Sequence, residues 1–127
     1  MDLIIGGAYN GKLDYALKAY GFAPSDVADL ALSLPREGEA AKCAYHVEAV
    51  SRAAAKEGLS DEEALFVLEH AIRGAEVVIA SDISGGVVPV DRVERRYREL
   101  HGLFLARLAA RAERVVRVFY GIGEVLK

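Results

Sequence analysis

Three runs of apolar residues along the chain predict buried β-strands. Leu3–Ile5 is unbroken and ends in two glycines, residues 76–82 contain four apolar residues in a row, and Arg114–Tyr120 is rich in valine. Continuous apolar runs of this length are typical of strands that are buried on both faces of a parallel sheet. A partial alternation over Val27–Leu34, ended by Pro35, predicts one further strand.

Between these runs the apolar residues recur every three or four positions, which predicts four helices. The first stops at Gly21, where a C-terminal glycine is expected. The third begins with a capping box formed by Ser60 and Glu63, and a single apolar face runs along the fourth. The predicted helices cover Lys12–Tyr20, Glu39–Glu57, a stretch from Ser60 to about Arg73, and a long stretch after Pro89.

Strands that alternate with helices predict an α/β fold with a small, mainly parallel sheet flanked by helices. The length of 127 residues fits a single domain, residues 1–127, with one core. In sheets of this kind ligands bind beyond the C-terminal ends of the strands. The residues that directly follow the strands are therefore the first candidates for a functional site.

Charge and composition exclude several kinds of partner. The formal net charge is -3 and the sequence pI about 5.6, so the chain lacks the basic surface that binds nucleic acid. Its single cysteine, Cys43, rules out an internal disulfide and is predicted to be a small core residue. No stretch approaches the roughly 20 apolar residues that cross a bilayer, so we expect a cytoplasmic protein with no membrane partner.

The turn after the first strand has the pattern of a phosphate-binding loop. Gly6, Gly11 and Lys12 match the spacing Gly-x4-Gly-Lys, in which glycines let backbone amides surround phosphate oxygens and the lysine neutralises the outer phosphates. The next position normally carries a hydroxyl that binds magnesium, which Leu13 cannot supply. The predicted nucleotide-binding residues are Gly6, Gly7, Ala8, Tyr9, Asn10, Gly11, Lys12 and Leu13. The alternative is an ordinary strand-to-helix turn with a surface lysine.

A second candidate is Asp82, at the end of the apolar strand 76–82. Phosphate-loop enzymes use an acid in this position to hold magnesium, and the loop and the acid would lie at the same end of a parallel sheet. The alternative is a turn or capping aspartate before Gly85 and Gly86. Together the two features favour a nucleotide site, with Lys12 and Asp82 as catalytic candidates and Asp82 as the metal ligand.

The three histidines, His46, His70 and His101, are predicted to be surface or hydrogen-bonded helix residues. None lies in a glycine-rich loop or near a second catalytic residue type in the sequence. The sequence therefore does not predict a catalytic role for any of them.

Three separated motifs resemble one family. Ile79–Pro89 reads IASDISGGVVP and resembles the VTNEVGxGIVP segment of the bifunctional adenosylcobinamide kinases and adenosylcobinamide-phosphate guanylyltransferases, the CobU family. The residues from Arg95 to Lys127 resemble the C-terminal helix and strand of that family, including Gly121-Ile122-Gly123. The start, IIGGAYNGK, is similar to its GGxRSGKS motif.

The resemblance implies a P-loop NTPase-like domain of cobalamin biosynthesis that binds ATP or GTP with magnesium. It also implies phosphorylation of adenosylcobinamide, GMP transfer through a covalent histidine, and a homo-oligomer such as a trimer. Carried over onto this chain, Gly6, Gly7, Gly11 and Lys12 would hold phosphates and Asp82 would lie near a weakened magnesium site.

The chain also departs from the family pattern. Tyr9-Asn10 replaces Arg-Ser, Leu13 replaces the magnesium hydroxyl, and the segment that carries the guanylylated histidine has no recognisable counterpart. Three hypotheses follow: a reduced cobinamide kinase without the guanylyltransferase half, a nucleotide-binding or regulatory homologue without catalysis, and a scaffold that binds no nucleotide.

Overall fold

The structure, a computed structural model, describes residues 1–35, 40–83 and 91–127. Within these ranges a six-stranded sheet is combined with four α-helices and one short 3-10 helix, Pro24–Asp26. The strands are β1 (Asp2–Gly6), β2 (Val27–Asp29), β3 (Cys43–Tyr45), β4 (Val77–Ser81), β5 (Arg114–Phe119) and β6 (Ile122–Val125). The helices are α1 (Lys12–Tyr20), α2 (Val47–Lys56), α3 (Asp61–Ala71) and α4 (Arg92–Arg111).

The sheet confirms the predicted α/β class. Its strand order is β2-β3-β4-β1-β5-β6, and all neighbours are parallel except β5 and β6. β1 lies in the interior, where Leu3 pairs with Val78 of β4 and Val115 of β5. This mostly parallel sheet with helices on both faces is consistent with a P-loop NTPase-like fold.

Alternate residues of the strands contribute to two separate cores. Leu3 and Val78 belong to a larger cluster with apolar residues of α2, α3 and α4, whereas Ile4 and Ile79 join a smaller cluster with Ala16 of α1. Neighbouring side chains of a strand point to opposite faces, so each central strand is buried on both sides. This explains why β1 and β4 read as unbroken apolar runs. Cys43 is fully buried in the smaller cluster, as the sequence predicted.

The predicted second helix, Glu39–Glu57, is wrong over its first part. Cys43–Tyr45 forms β3, which pairs in parallel with β4, and the helix begins only at Val47. Three consecutive apolar residues are compatible with the apolar face of a helix and with a buried strand. The pairing with β4 makes this segment a strand. The predicted start at Glu39 lies outside the described residues.

The two outer strands also differ from the sequence prediction. The strand predicted for Val27–Leu34 is limited to Val27–Asp29, because the chain turns at Leu30 and leaves Leu32 exposed. β6 was not predicted; Tyr120 and Gly121 form the turn, and Ile122–Val125 returns antiparallel to β5. Both strands are short and lie at sheet edges, where periodicity gives little signal. The predictions that involve Gly85, Gly86 and Pro89 lie outside the described residues.

No helix in the described part of the chain is long and apolar enough to cross a membrane.

Gly6 ends β1 where the strand comes very close to β5. A Cβ atom at Gly6 would lie 2.5 Å from the backbone oxygen of Val118, a distance that real Cβ contacts do not show. We expect Gly6→Ala to lower the free energy of unfolding by about 1–3 kcal/mol, since it overpacks a buried site whose neighbour is backbone. Urea denaturation measures this change.

The matched control is Gly102→Ala in α4, where an added Cβ meets nothing within 4 Å. An exposed helical glycine replaced by alanine is expected to leave stability unchanged or to raise it by up to about 1 kcal/mol. If Gly6→Ala were as stable as the unmodified chain, the close contact between β1 and β5 would be contradicted.

Candidate functional site

The loop that joins β1 to α1 has the backbone of a tight, glycine-dependent turn. Tyr9 and Gly11 both adopt left-handed conformations, with φ of 61° and 81°, and Gly11 is the residue that precedes α1. The loop is also tied to the turn between β5 and β6, because the amide of Gly121 donates to the oxygen of Asn10 at 2.9 Å. The loop therefore keeps its shape through backbone contacts rather than through side-chain capping.

Lys12 lies across this loop. Its Nζ donates to the oxygen of Gly7 at 2.7 Å, and only 7% of the residue is exposed. Burial lowers the pKa of Lys12, and the nearby carboxylate of Glu48 partly opposes that shift. The ammonium group thus lies above the N-terminus of α1, where backbone amides without intrahelical partners and the helix dipole favour anions.

An open cleft of about 480 Å³ lies beside the loop. Its volume falls within the range of small-molecule sites. The cleft joins α1 to the ends of β3 and β4 and to the start of α2, at the C-terminal edge of the parallel strands. Its described lining residues are Ala8, Tyr9, Gly11, Lys12, Leu13, Asp14, Tyr45, His46, Glu48 and Ser81.

One of the acids that the structure brings into this cleft is Glu48, which the sequence did not indicate. Its carboxylate accepts from the amide of Ser81 at 3.2 Å and from the Ser81 hydroxyl at 2.6 Å. Glu48 therefore joins the first turn of α2 to the end of β4. The contact spans 33 residues, so no local pattern could have shown it; an acid in the first turn of a helix is otherwise explained by the helix dipole.

Asp82 follows β4 directly and is exposed. Its amide donates to the oxygen of Gly6 at 2.8 Å, so β1 and β4 end at the same edge of the sheet, as the sequence predicted. Ser81, not Asp82, is among the described residues that line the cleft. The role of Asp82 as a metal ligand stays a prediction.

Leu13 is half-buried and packs against the smaller core cluster while lining the cleft. It contributes no oxygen, but Glu48 and Ser81 place a carboxylate and a hydroxyl in the same cleft. Magnesium takes oxygen ligands and is commonly held by one or two carboxylates together with substrate phosphates. The residues present therefore fit this ion, although the described residues contain no cluster of three or more His, Cys, Asp or Glu that could bind a metal alone.

His101 confirms the prediction of a hydrogen-bonded helix histidine. It is fully buried in α4, with Nε2 2.6 Å from the oxygen of Ser81 and Nδ1 2.8 Å from the hydroxyl of Ser51. A carbonyl oxygen only accepts, so Nε2 carries the proton and Nδ1 accepts from Ser51. Burial lowers the pKa of His101, which favours the neutral ring. His70, exposed in the last turn of α3, is the predicted surface histidine.

For His46 the prediction is wrong on two points. This residue precedes α2 rather than lying within it, and its φ of 67° is left-handed. Its Nδ1 lies 2.7 Å from Oδ1 of Asp29, so a second catalytic residue type is in contact with it. The sequence could not show this pair, because Asp29 is on a different strand.

Comparison with protein families identifies a family that matches this chain. The model of the family described as cobinamide kinase / cobinamide phosphate guanyltransferase, CobU, matches residues 45–126, which is more than half of the chain. The chain belongs to the CobU family. No curated protein matches this CobU-family chain significantly.

The matched range of this CobU-family chain includes Glu48, Ser81 and His101, whereas the loop 6–13 precedes it. Membership supports a nucleotide-binding function of the cobinamide kinase and guanyltransferase type, within cobalamin biosynthesis. The assignment of the phosphate loop therefore depends on its own sequence and geometry.

Proposed function

We propose that this CobU-family chain binds ATP or GTP in the cleft beside Gly6–Leu13 and transfers the terminal phosphoryl group to a hydroxyl of adenosylcobinamide. The observation that carries the proposal is the position of Lys12, a nearly buried lysine that lies over a glycine turn at a helix N-terminus and faces a cleft. Among the residues that the structure describes, no carboxylate accepts a hydrogen bond from its ammonium group. A desolvated lysine of this kind is costly, and a triphosphate would compensate for that cost.

Each part of the cleft has a role in this proposal. The loop amides and the start of α1 bind phosphate oxygens, and the Nζ of Lys12 moves from the Gly7 oxygen to the outer phosphates. Glu48 and Ser81, with Asp82 beside them, would hold magnesium, which neutralises charge on the phosphates. The protein residues thus contribute positioning and charge neutralisation, the main terms in phosphoryl transfer.

The proposal extends to partners. A corrinoid is the proposed acceptor, the chain is proposed to form a homo-oligomer as the family resemblance implies, and the guanylyltransferase half is proposed to be absent. The last point is supported by the sequence, in which the segment that would carry the guanylylated histidine has no recognisable counterpart.

The second candidate function is nucleotide binding without catalysis, in a regulatory homologue. The observation that favours it is Leu13, whose side chain packs against the core where phosphate-loop enzymes present a magnesium hydroxyl. In this case the chain would bind a triphosphate and release it unchanged.

Calorimetry and turnover together test these functions. We expect heat of binding with ATP or GTP in the presence of magnesium, and formation of adenosylcobinamide phosphate when the corrinoid is added. Binding without product would favour the regulatory homologue. No heat with either nucleotide would leave the scaffold hypothesis.

Magnesium is expected to strengthen triphosphate binding by about tenfold. Leu13 alone predicts a weak dependence, but the structure adds Asp14 and Glu48 to the lining of the cleft, and both carboxylates repel phosphate oxygens. Each such pair costs on the order of 1 kcal/mol in a solvent-accessible cleft. Titration of ATP and GTP with and without EDTA measures the difference; equal affinities would show that the carboxylates do not face the phosphates.

A further inference from the structure

His46 lies in an unusual backbone position at the edge of the cleft. It connects β3 to α2 with φ 67° and ψ 51°, a left-handed conformation that costs conformational free energy for any residue other than glycine. It also occupies the N-cap of α2 without making a side-chain capping hydrogen bond. Serine, threonine, aspartate or asparagine would cap the helix better, so helix formation does not explain a histidine here.

Asp29 holds the ring of His46 in a defined orientation. One carboxylate oxygen, Oδ1, accepts from the amide of Ala31 at 3.0 Å and from Nδ1 of His46 at 2.7 Å. The parallel pairing of β2 with β3 places Asp29 opposite Tyr45, at the C-terminal edge of both strands. The ring of Tyr45 packs on the imidazole with 3.6 Å between the ring centroids.

This arrangement fixes the tautomer of His46. A carboxylate only accepts, so Nδ1 carries a proton and the lone pair of the neutral ring is on Nε2. Within residues 1–35, 40–83 and 91–127, Nε2 makes no hydrogen bond, and the side chain is 32% exposed. His46 lines the same cleft as Lys12 and Leu13. A histidine that is oriented by a half-buried carboxylate and lines a cleft has the geometry of a general base.

We propose that His46 is a catalytic residue, the general base that activates the acceptor hydroxyl, with Asp29 as its positioning residue; this inference rests on the proposed phosphotransfer. As the acceptor oxygen bonds to the terminal phosphorus, its proton passes to Nε2 of His46. The bond between the terminal phosphorus and the bridging oxygen breaks, and the nucleoside diphosphate leaves with those electrons. Asp29 stabilises the imidazolium, which then returns its proton to water.

A purely structural role of the pair His46 and Asp29 predicts a different effect of substituting His46. If the pair only joined β2 to the start of α2, any residue that donates to Asp29 and tolerates a left-handed backbone would serve. Asparagine does both, because its side-chain amide can occupy the position of Nδ1 and it is among the residues that adopt this conformation most readily. His46→Asn therefore retains the contact with Asp29 and removes the atom that would accept the proton.

The test compares the unmodified chain with His46→Asn, and uses His70→Asn on the exposed face of α3 as the matched control. We expect His46→Asn to lower kcat for adenosylcobinamide phosphorylation by about 10²- to 10⁴-fold, the usual contribution of a general base. The affinity for ATP or GTP, measured by calorimetry, is expected to change by less than about threefold, because the loop holds the phosphates. His70→Asn is expected to match the unmodified chain.

The split between kcat and nucleotide affinity separates catalysis from structure. A loss of kcat with retained affinity indicates a catalytic role, because His46→Asn keeps the contact with Asp29 and removes only the atom that would accept the proton. The charged and titratable groups around the ring are Asp29, Tyr45, Asp14, Glu48 and Lys12, and the variant retains all of them.

If His46→Asn does not fold, Asp29→Asn provides the second variant. It keeps the side-chain shape but removes the charge that stabilises the imidazolium, so we expect kcat to fall at least about tenfold with nucleotide affinity retained.

The outcomes distinguish this inference from the proposed function. Unchanged kcat in the His46 variant, with nucleotide binding intact, would overturn the role of His46 and leave the kinase proposal standing. The role of His46 would also be overturned if the chain bound nucleotide but transferred phosphate neither to adenosylcobinamide nor to water, because no reaction would then require a general base. Absence of nucleotide binding in the unmodified chain would instead overturn the proposed function itself.

Discussion

Lys12→Met is expected to weaken the binding of ATP and GTP by about 10- to 150-fold. A charge-assisted hydrogen bond is worth about 1.5–3 kcal/mol, and each 1.4 kcal/mol corresponds to a factor of ten. Methionine is the informative replacement because the lysine stem is itself packed: its Cγ and Cδ lie 3.4 Å from where a Cβ on Gly6 would be. The variant therefore removes the ammonium and retains an unbranched stem. Isothermal titration calorimetry measures the affinities.

The matched control for this variant is Lys18→Met. Lys18 is exposed in the last turn of the same helix, so the net charge and the composition change identically while the loop is untouched. Lys12→Met is also expected to be no less stable than the unmodified chain, since burial lowers the pKa of Lys12 and the folded state thus disfavours its charge. Equal affinities for the two variants would show that Lys12 does not contact phosphate.

His101→Ala is expected to lower the free energy of unfolding by about 3–5 kcal/mol. The imidazole is fully buried between α4, α2 and the end of β4, and its removal leaves a cavity. It also leaves the hydroxyl of Ser51 and the oxygen of Ser81 without this partner, and a buried polar group that loses its partner costs about 1–3 kcal/mol. Urea denaturation measures the change. His70→Ala, on the surface of α3, is expected to change stability by less than about 0.5 kcal/mol.

The same histidine makes stability depend on pH. Burial lowers the pKa of His101 in the folded chain, so below the unfolded value of 6.5 the unfolded state binds a proton that the folded state resists. Its contribution is complete above pH 6.5 and is lost as the pH falls towards the folded pKa. His101→Gln, which can still donate to Ser81, is expected to show a shallower loss between pH 7 and 5. An identical slope in the variant would contradict the lowered pKa.

His101 also matters for the cleft, because it holds the strand end that carries the site. The Nε2 of His101 donates to the backbone oxygen of Ser81. The hydroxyl and the amide of Ser81 in turn donate to the carboxylate of Glu48. Hydrogen bonds thus connect His101 to Glu48 through Ser81 at the end of β4. Lys12 lies near the carboxylate of Glu48. Hydrogen-bond donors that orient a carboxylate, as Ser81 does for Glu48, are a common feature of metal-binding sites.

The fold class and the glycine-dependent turn between β1 and α1 were predictable from local signals. β1, β4 and β5 are buried on both faces and therefore read as apolar runs, and Gly21 and the Ser60 capping box mark real helix ends. The loop could be found because its glycines serve the backbone itself: Gly11 is left-handed, and Gly6 has no room for a Cβ. Positions with a left-handed backbone or with no room for a Cβ atom favour glycine, so such positions can be recognised in the sequence.

The rest of the site could not be predicted, because its contacts join residues that are distant in sequence. Cys43–Tyr45 became a strand through its pairing with β4, although its apolar pattern also fits a helix. Glu48 meets Ser81 across 33 positions, and His46 meets Asp29 only because β2 and β3 are parallel neighbours. A single histidine between Tyr45 and Val47 gives no sign of such a partner.

By itself, the sequence determined an α/β domain of mainly parallel strands with a glycine loop, a lysine at the start of a helix and a leucine in place of the magnesium hydroxyl. Only the tertiary structure decided which side chains share the cleft with that lysine, and it selected Glu48, Ser81 and His46. The reason is physical. Backbone conformation and burial restrict which residue types can occupy a position, so they are visible in the sequence, whereas the side chains that meet at a sheet edge are decided by strand order and register.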